Sequence, residues 1–120
     1  MRTAGLHHVS INVSDVPAAR DFYTRLLGLT ERTDRPDFSF GGAWLDAGDQ
    51  QVHLIEADVP PSFGQHFALA VTDLDAAVAE LRGQGVAVTE PVAVGRGRQA
   101  FVHDPCGNRV ELQQPPVSPA

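Results

Sequence analysis

This chain of 120 residues contains no lysine. Its nine basic side chains are all arginine, set against fifteen Asp plus Glu, for a net charge of -6. An acidic chain with scattered arginines has no basic patch to hold nucleic acid or an anionic membrane. Cysteine occurs once, at Cys106, which excludes an internal disulfide framework. No apolar run approaches the length that spans a bilayer, and the first residues lack the charged-then-apolar pattern of a secretory signal. Together these absences predict a cytoplasmic protein. The 42% apolar content is enough for one domain with a real core.

One feature is present twice. "LHHVSINVSDVPAARDFY" near the start returns as "QHFALAVTDLDAAVAEL". With His8 over His66, Val13 falls on Val71, Asp15 on Asp73, and Ala18-Ala19 on Ala76-Ala77, all 58 positions apart. The same offset lays "QVHLIE" over "RVELQQ", so that His53 meets Glu111. One offset holding at both ends of a segment implies a duplicated folding unit.

Each copy reads as a strand that runs into a helix. In the first, Ser14 or Asp15 can cap, Pro17 suits the first turn, and Val16, Ala19, Tyr23 and Leu26 form the apolar stripe before Gly28. In the second, Thr72 or Asp73 caps, and Leu74, Ala77, Val78 and Leu81 form the stripe before Gly83 and Gly85. Three strands should follow each helix. In the first copy they fall near Leu29–Thr33, Phe40–Asp46 and Gln51–Glu56, with a turn at Gly48-Asp49. In the second they fall at Ala87–Val92, Gln99–His103 and Asn108–Gln113, with a turn at Asp104–Gly107. The expected fold is α+β: two βαβββ modules forming a curved mixed sheet around a cleft. It is a single domain over 1–114, with module one at about 5–56, a Pro-rich linker at 57–64, and module two at about 65–114. Residues 115–120 read as a disordered tail.

Strand side chains alternate between faces. Val9, Ile11 and Val13 share the face that suits packing under a helix, leaving His8 on the other. The same alternation puts His53, His66 and Glu111 on faces away from the helices. Three imidazoles and a carboxylate at equivalent positions of a repeat suit a divalent ion: Ni, Co, Zn, Mn or Fe(II). Four ligands would leave open positions for a substrate.

These segments, with "VHLIE" and "FVHDPCGNRVELQQ", resemble the vicinal oxygen chelate superfamily: glyoxalase I, extradiol dioxygenases, thiol transferases and the metal-free bleomycin-resistance proteins. The resemblance covers nearly the whole chain outside linker and tail. It implies a metal set of His8, His53, His66 and Glu111, with Glu111 or His53 moving a proton. Where glyoxalase I carries a glutamate, this chain has His53. The activity implied first is that of a glyoxalase-like lyase or isomerase on a small carbonyl compound or its thiol adduct, with one divalent ion per site and room for a thiol cosubstrate. An Fe(II) or Mn(II) ring-cleaving dioxygenase, with His8, His66 and Glu111 as ligands, is the second. A drug- or metabolite-binding resistance protein is the third. The resemblance also implies a homodimer, its metal site closed within one chain or shared between two.

Other side chains have bland and functional readings. His7 points away from His8 by alternation and reads as packing or surface, and His103 as a turn-edge residue. Cys106 has no base near it in sequence and reads as a surface thiol. Trp44, Phe40, Phe38 and Phe101 are core aromatics or the walls of a substrate pocket. Arg96 and Arg98, in "VGRGRQ", form a solvated loop or an anion clamp. Arg109 alternates onto the side of Glu111, where it can pair with that carboxylate or touch substrate.

Overall fold

The computed structural model describes residues 1–116. They form two compact units, one of Met1–Pro61 with the turn Asp104–Asn108, the other of Ser62–His103 with the segment from Arg109 onward. The part of the expected tail that spans 117–120 lies outside the described residues.

In the first unit, strand β1 (His8–Val13) leads to helix α1 (Val16–Asp21). Asp15 is the cap: its carboxylate accepts the Ala18 N–H at 3.1 Å, and Pro17 sits in the first turn, where no N–H is needed. The helix then widens into a π-helical turn, Phe22–Leu26, with the Leu27 N–H reaching the Phe22 carbonyl at 3.1 Å. That turn buries the neighbours Phe22 and Tyr23 together. Gly28, at φ 79°, ends it. Strands β2 (Thr30–Glu31), β3 (Gly42–Ala47) and β4 (Gln50–Glu56) complete a four-stranded sheet of order β1-β4-β3-β2. β1 and β4 are parallel, and the remaining pairs antiparallel. Ala43, Leu45, Val52 and Leu54 alternate onto the buried face, joined by Val13, Val16 and Ala19.

The second unit repeats this plan. Strand β5 (Phe67–Ala70) leads to α2 (Leu74–Gly83), capped by Asp73, whose carboxylate accepts the Ala76 N–H at 3.0 Å. Strands β6 (Val92–Val94), β7 (Gly97–His103) and β8 (Arg109–Gln114) complete a sheet of order β5-β8-β7-β6. Leu74, Val78 and Leu81 of α2 are buried, as are Ala100, Val102, Val110 and Leu112 of the sheet. Val9 pairs with Val52 in the first unit and Phe67 with Val110 in the second. The 58-residue sequence offset is therefore also a strand register, and the βαβββ expectation holds in both copies.

β7 starts two residues early, at Gly97, and three further strands differ from expectation. β2 is two residues long; just beyond it the Arg32 N–H still bonds the Trp44 carbonyl at 2.8 Å, while the Arg32 side chain pairs with Asp34 and Asp46. The strand expected at Ala87–Val92 forms only at Val92–Val94: Pro91 has no N–H to give, and Thr89 makes an isolated pair of bonds with Phe101. β3 starts at Gly42, so Phe40 lies in the loop before it. Gly42 has a steric reason. A Cβ there would collide with the Leu54 carbonyl oxygen on the neighbouring strand. Gly42→Ala should therefore cost about 1–3 kcal/mol by forcing β3 and β4 apart, read as a lowered urea midpoint.

Candidate functional site

The parallel pair β1·β4 sets His8 opposite Gln51 and Ser10 opposite His53, which makes the two histidines diagonal neighbours on one face. Their rings stack at 4.0 Å between centroids, 15° from parallel. The other face of His53 is covered by Trp44, its cross-strand partner on β3, at 4.4 Å and 10°. His53 Nε2 donates to Gln51 Oε1 at 2.8 Å, and the residue is only 7% exposed. His8 is exposed, and its Nδ1 lies 2.8 Å from Nδ1 of His7. His7 sits before the start of β1, so strand alternation does not govern it, and its ring meets His8 edge-on rather than facing away.

The ladder continues outward from Trp44. Phe38 tilts against it at 6.1 Å, and Phe40 stacks on Phe38 at 5.0 Å. The Arg35 guanidinium covers both phenylalanines and donates to the Phe40 carbonyl. Phe38 and Phe40 are still 40% and 43% exposed. The pocket-wall reading of Trp44 and Phe40 thus rests on an aromatic surface that the first unit presents by itself.

In the second unit β5·β8 gives the equivalent diagonal pair. His66 immediately precedes β5, and its Nε2 lies 3.0 Å from Oε1 of Glu111 on β8. Its other nitrogen, Nδ1, is 2.9 Å from the Gly64 carbonyl. A carbonyl only accepts, so Nδ1 donates to it, while Nε2 lies within hydrogen-bond distance of the Glu111 carboxylate. A histidine held through Nδ1–H by a backbone carbonyl is the arrangement that orients a metal ligand. Phe101, the cross-strand partner of Glu111, meets His66 edge-on at 5.5 Å. It occupies the place that Trp44 takes beside His53.

Two of the three arginines have partners of their own. Arg109 stacks its guanidinium over Phe101 at 3.8 Å. Arg98 pairs with Asp75 through two bonds of 2.9 and 3.0 Å. Arg96 is exposed in the tight β6–β7 turn, not in a loose loop. Cys106 is half-buried, with its Sγ 3.9 Å from the Asp15 carbonyl.

The structure therefore brings the expected donors together as two pairs, His8 with His53 and His66 with Glu111, one pair in each unit. Among the described residues no group of three or more His, Cys, Asp or Glu is gathered in a way that could hold a metal ion. Gln51 and the Gly64 carbonyl, neither singled out in the sequence, and His7, read there as packing or surface, are the groups beside the donors.

Burial pushes the His53 imidazole below its ordinary range, helped by the nearby His8, His7, Arg32 and Arg35. The unfolded chain then takes up this proton at a higher pH than the folded one. His53 should contribute stability above about pH 6.5 that is lost as pH falls toward its folded value. Urea midpoints between pH 8 and pH 5 should fall more steeply for the native chain than for His53→Phe.

Among the described residues no helix is long and apolar enough to cross a membrane. Residues 5–112 match the Glyoxalase/Bleomycin resistance protein/Dioxygenase superfamily. A lactoylglutathione lyase of Escherichia coli O157:H7 is 29% identical over 89% of this chain and 90% of its own length. A lactoylglutathione lyase of Arabidopsis thaliana is 31% identical over 89% of this chain, which spans only 43% of that relative. The crystal structure of TnmS3, an antibiotic binding protein from Streptomyces sp. CB03234, is 34% identical with a TM-score of 0.79, covering 96% of this chain and 98% of that one. With the two βαβββ units and the match over residues 5–112, the chain belongs to the Glyoxalase/Bleomycin resistance protein/Dioxygenase superfamily.

Proposed function

We propose that this chain is a glyoxalase-like, divalent-metal-dependent lyase or isomerase of small carbonyl compounds or their thiol adducts, working as a cytoplasmic homodimer. The observation that carries this reading is the His66–Glu111 pair: Nδ1 anchored on Gly64, and Nε2 facing a carboxylate at 3.0 Å. The donors present fit an ion such as Ni, Co, Zn, Mn or Fe(II) in chemistry. The ligands proposed for it are His66 and Glu111 with His8 and His53, in one chain or across two.

When bound, the ion supplies Lewis-acid stabilisation of the oxygen charge that develops as a proton leaves the adjacent carbon. The chain's own groups do the rest. Glu111 is three-quarters or more shielded, and its Oε2 makes no hydrogen bond among the described residues, so it is free to take a substrate proton. Phe101, the cross-strand partner of Glu111, carries the stacked Arg109 guanidinium, which would favour an anionic substrate group. Trp44 and Phe40 offer flat surfaces for the substrate's apolar part.

A second reading, sequestration of a flat conjugated compound, is favoured by the exposed Phe38–Phe40 pair and by the likeness to TnmS3. Metal content of tag-free protein, beside a His66→Ala variant, tests the first reading. About one divalent ion per chain, lost in the variant, with turnover of a hemithioacetal, is the expected result. Fe(II) with oxygen uptake would point to dioxygenase chemistry instead. No uptake of any of these metals, with a planar aromatic compound quenching the single tryptophan, would replace it with sequestration.

A further inference from the structure

Four arginines follow β1 in the first unit, and three of them pair with carboxylates. Arg20 takes Glu31, Arg25 takes Asp21, and Arg32 takes Asp34 and Asp46. Arg35 pairs with no carboxylate among the described residues, and the nearby Asp37 makes no ion pair with it. Its hydrogen bond is to the Phe40 carbonyl at 2.9 Å. Its guanidinium lies 5.0 Å from the Phe38 ring centre and 5.6 Å from that of Phe40. A guanidinium carries five N–H donors in a planar fork, so one bond leaves most of that fork unused. Arg35 is nonetheless half-buried, set beside two rings that remain 40% and 43% exposed. Trp44 completes the surface. His53 lies flat on it at 10°, whereas Phe38 leans against it at 53° and leaves an open wedge between the two rings.

We propose that Arg35, with the rings of Phe38, Phe40 and Trp44, forms a binding site for planar aromatic carboxylates. The rings stack on the flat body of the ligand. The guanidinium fork donates to its two carboxylate oxygens. A carboxylate conjugated to an aromatic ring is coplanar with it, so one flat ligand meets both demands. Stacking alone does not choose between a neutral ring and an acid. A half-buried cation without a counter-charge does. This inference rests on the sequestration reading, to which it adds the charge of the ligand and the residue that reads it. It uses the first unit only and needs no metal.

Calorimetric titration of the full chain with a naphthalene carboxylate, and with the matching neutral carboxamide, tests it. The native chain should bind the acid at least about tenfold more tightly than the amide. Raising the salt from about 0.05 M to about 0.5 M should shrink that preference. The indole N–H signal of Trp44, the single tryptophan, should shift with either ligand. Arg35→Gln can still bond the Phe40 carbonyl but carries no charge. It should bring the acid to within about twofold of the amide and leave the amide's own affinity in place. Equal binding of acid and amide by the native chain overturns this inference and leaves the sequestration reading standing, with no variant needed. Failure of the native chain to bind either ligand overturns both. A preference that survives Arg35→Gln overturns the proposal. Equal loss of both ligands in Arg35→Gln makes the residue a brace of its loop and overturns it too.

Discussion

Asp104→Ala should cost the folded chain about 3–5 kcal/mol, the largest loss expected from a single polar side chain. Asp104 is 4% exposed, yet its carboxylate accepts four hydrogen bonds. They come from the Tyr23 hydroxyl at 2.8 Å, the Cys106 and Asn108 N–H groups at 2.9 Å each, and the Asn108 side chain at 2.9 Å. Asn108 in turn donates to the Asn12 carbonyl at 2.9 Å, tying the turn Asp104–Asn108 to β1. Removing the carboxylate leaves several buried donors without an acceptor, each a cost in itself. Tyr23 is fully buried, and burial, followed by the Asp104 charge, drives its hydroxyl far above the usual phenol range. It therefore remains a donor at every working pH. Tyr23→Phe removes one bond and keeps the ring, so about 1–3 kcal/mol is expected. Urea unfolding of both variants checks the order. A Tyr23→Phe loss equal to that of Asp104→Ala would mean that the phenol alone, and not the four-donor cage, holds the turn.

That latch was beyond reach of sequence reasoning, and the reason is physical. Tyr23 could be placed on the buried stripe of a helix, and Asp104 in a turn, because both follow from local periodicity and turn chemistry. Their meeting, 81 residues apart, is a tertiary event with no local signature. The repeat was legible for the opposite reason. A 58-residue offset preserved through capping aspartates and closing strands repeats local rules, and those rules fix register once two strands are parallel. The two donor pairs were legible because alternation assigns faces. Their orientation was not. Gln51 is an ordinary half-buried glutamine by sequence, and only its distance to His53 makes it a restraint. The partners of the arginines were not legible for a related reason: a guanidinium has several partners within reach of its long stem, and Asp75 and Phe101 became those partners only when the sheet formed. His7 shows the limit of alternation, which holds only inside a strand and fails at the residue before it.

Glu111→Gln should reduce kcat/KM on a hemithioacetal by about 10³-fold while leaving the fold intact, if the proposed chemistry holds. The substitution keeps side-chain volume and can keep a hydrogen bond to His66, so the packing against Phe101 has no reason to change. It removes the charge that faces His66 Nε2 and the carboxylate proposed to receive a substrate proton. These two losses are separable. If Glu111 serves chiefly as a ligand, Co(II) or Zn(II) affinity falls with activity, and excess metal restores part of the rate. If it serves chiefly as the proton acceptor, the loaded variant stays slow however much metal is supplied. Glu111→Asp separates them again, since it restores charge but draws the carboxylate back by one methylene from an Oε1 that now sits 3.0 Å from His66. A Glu111→Gln variant retaining more than about a tenth of native turnover would leave no proton-transferring role for this residue. The aromatic face built from Trp44, Phe38 and Phe40 would then become the main functional feature of the chain, and ligand capture its business.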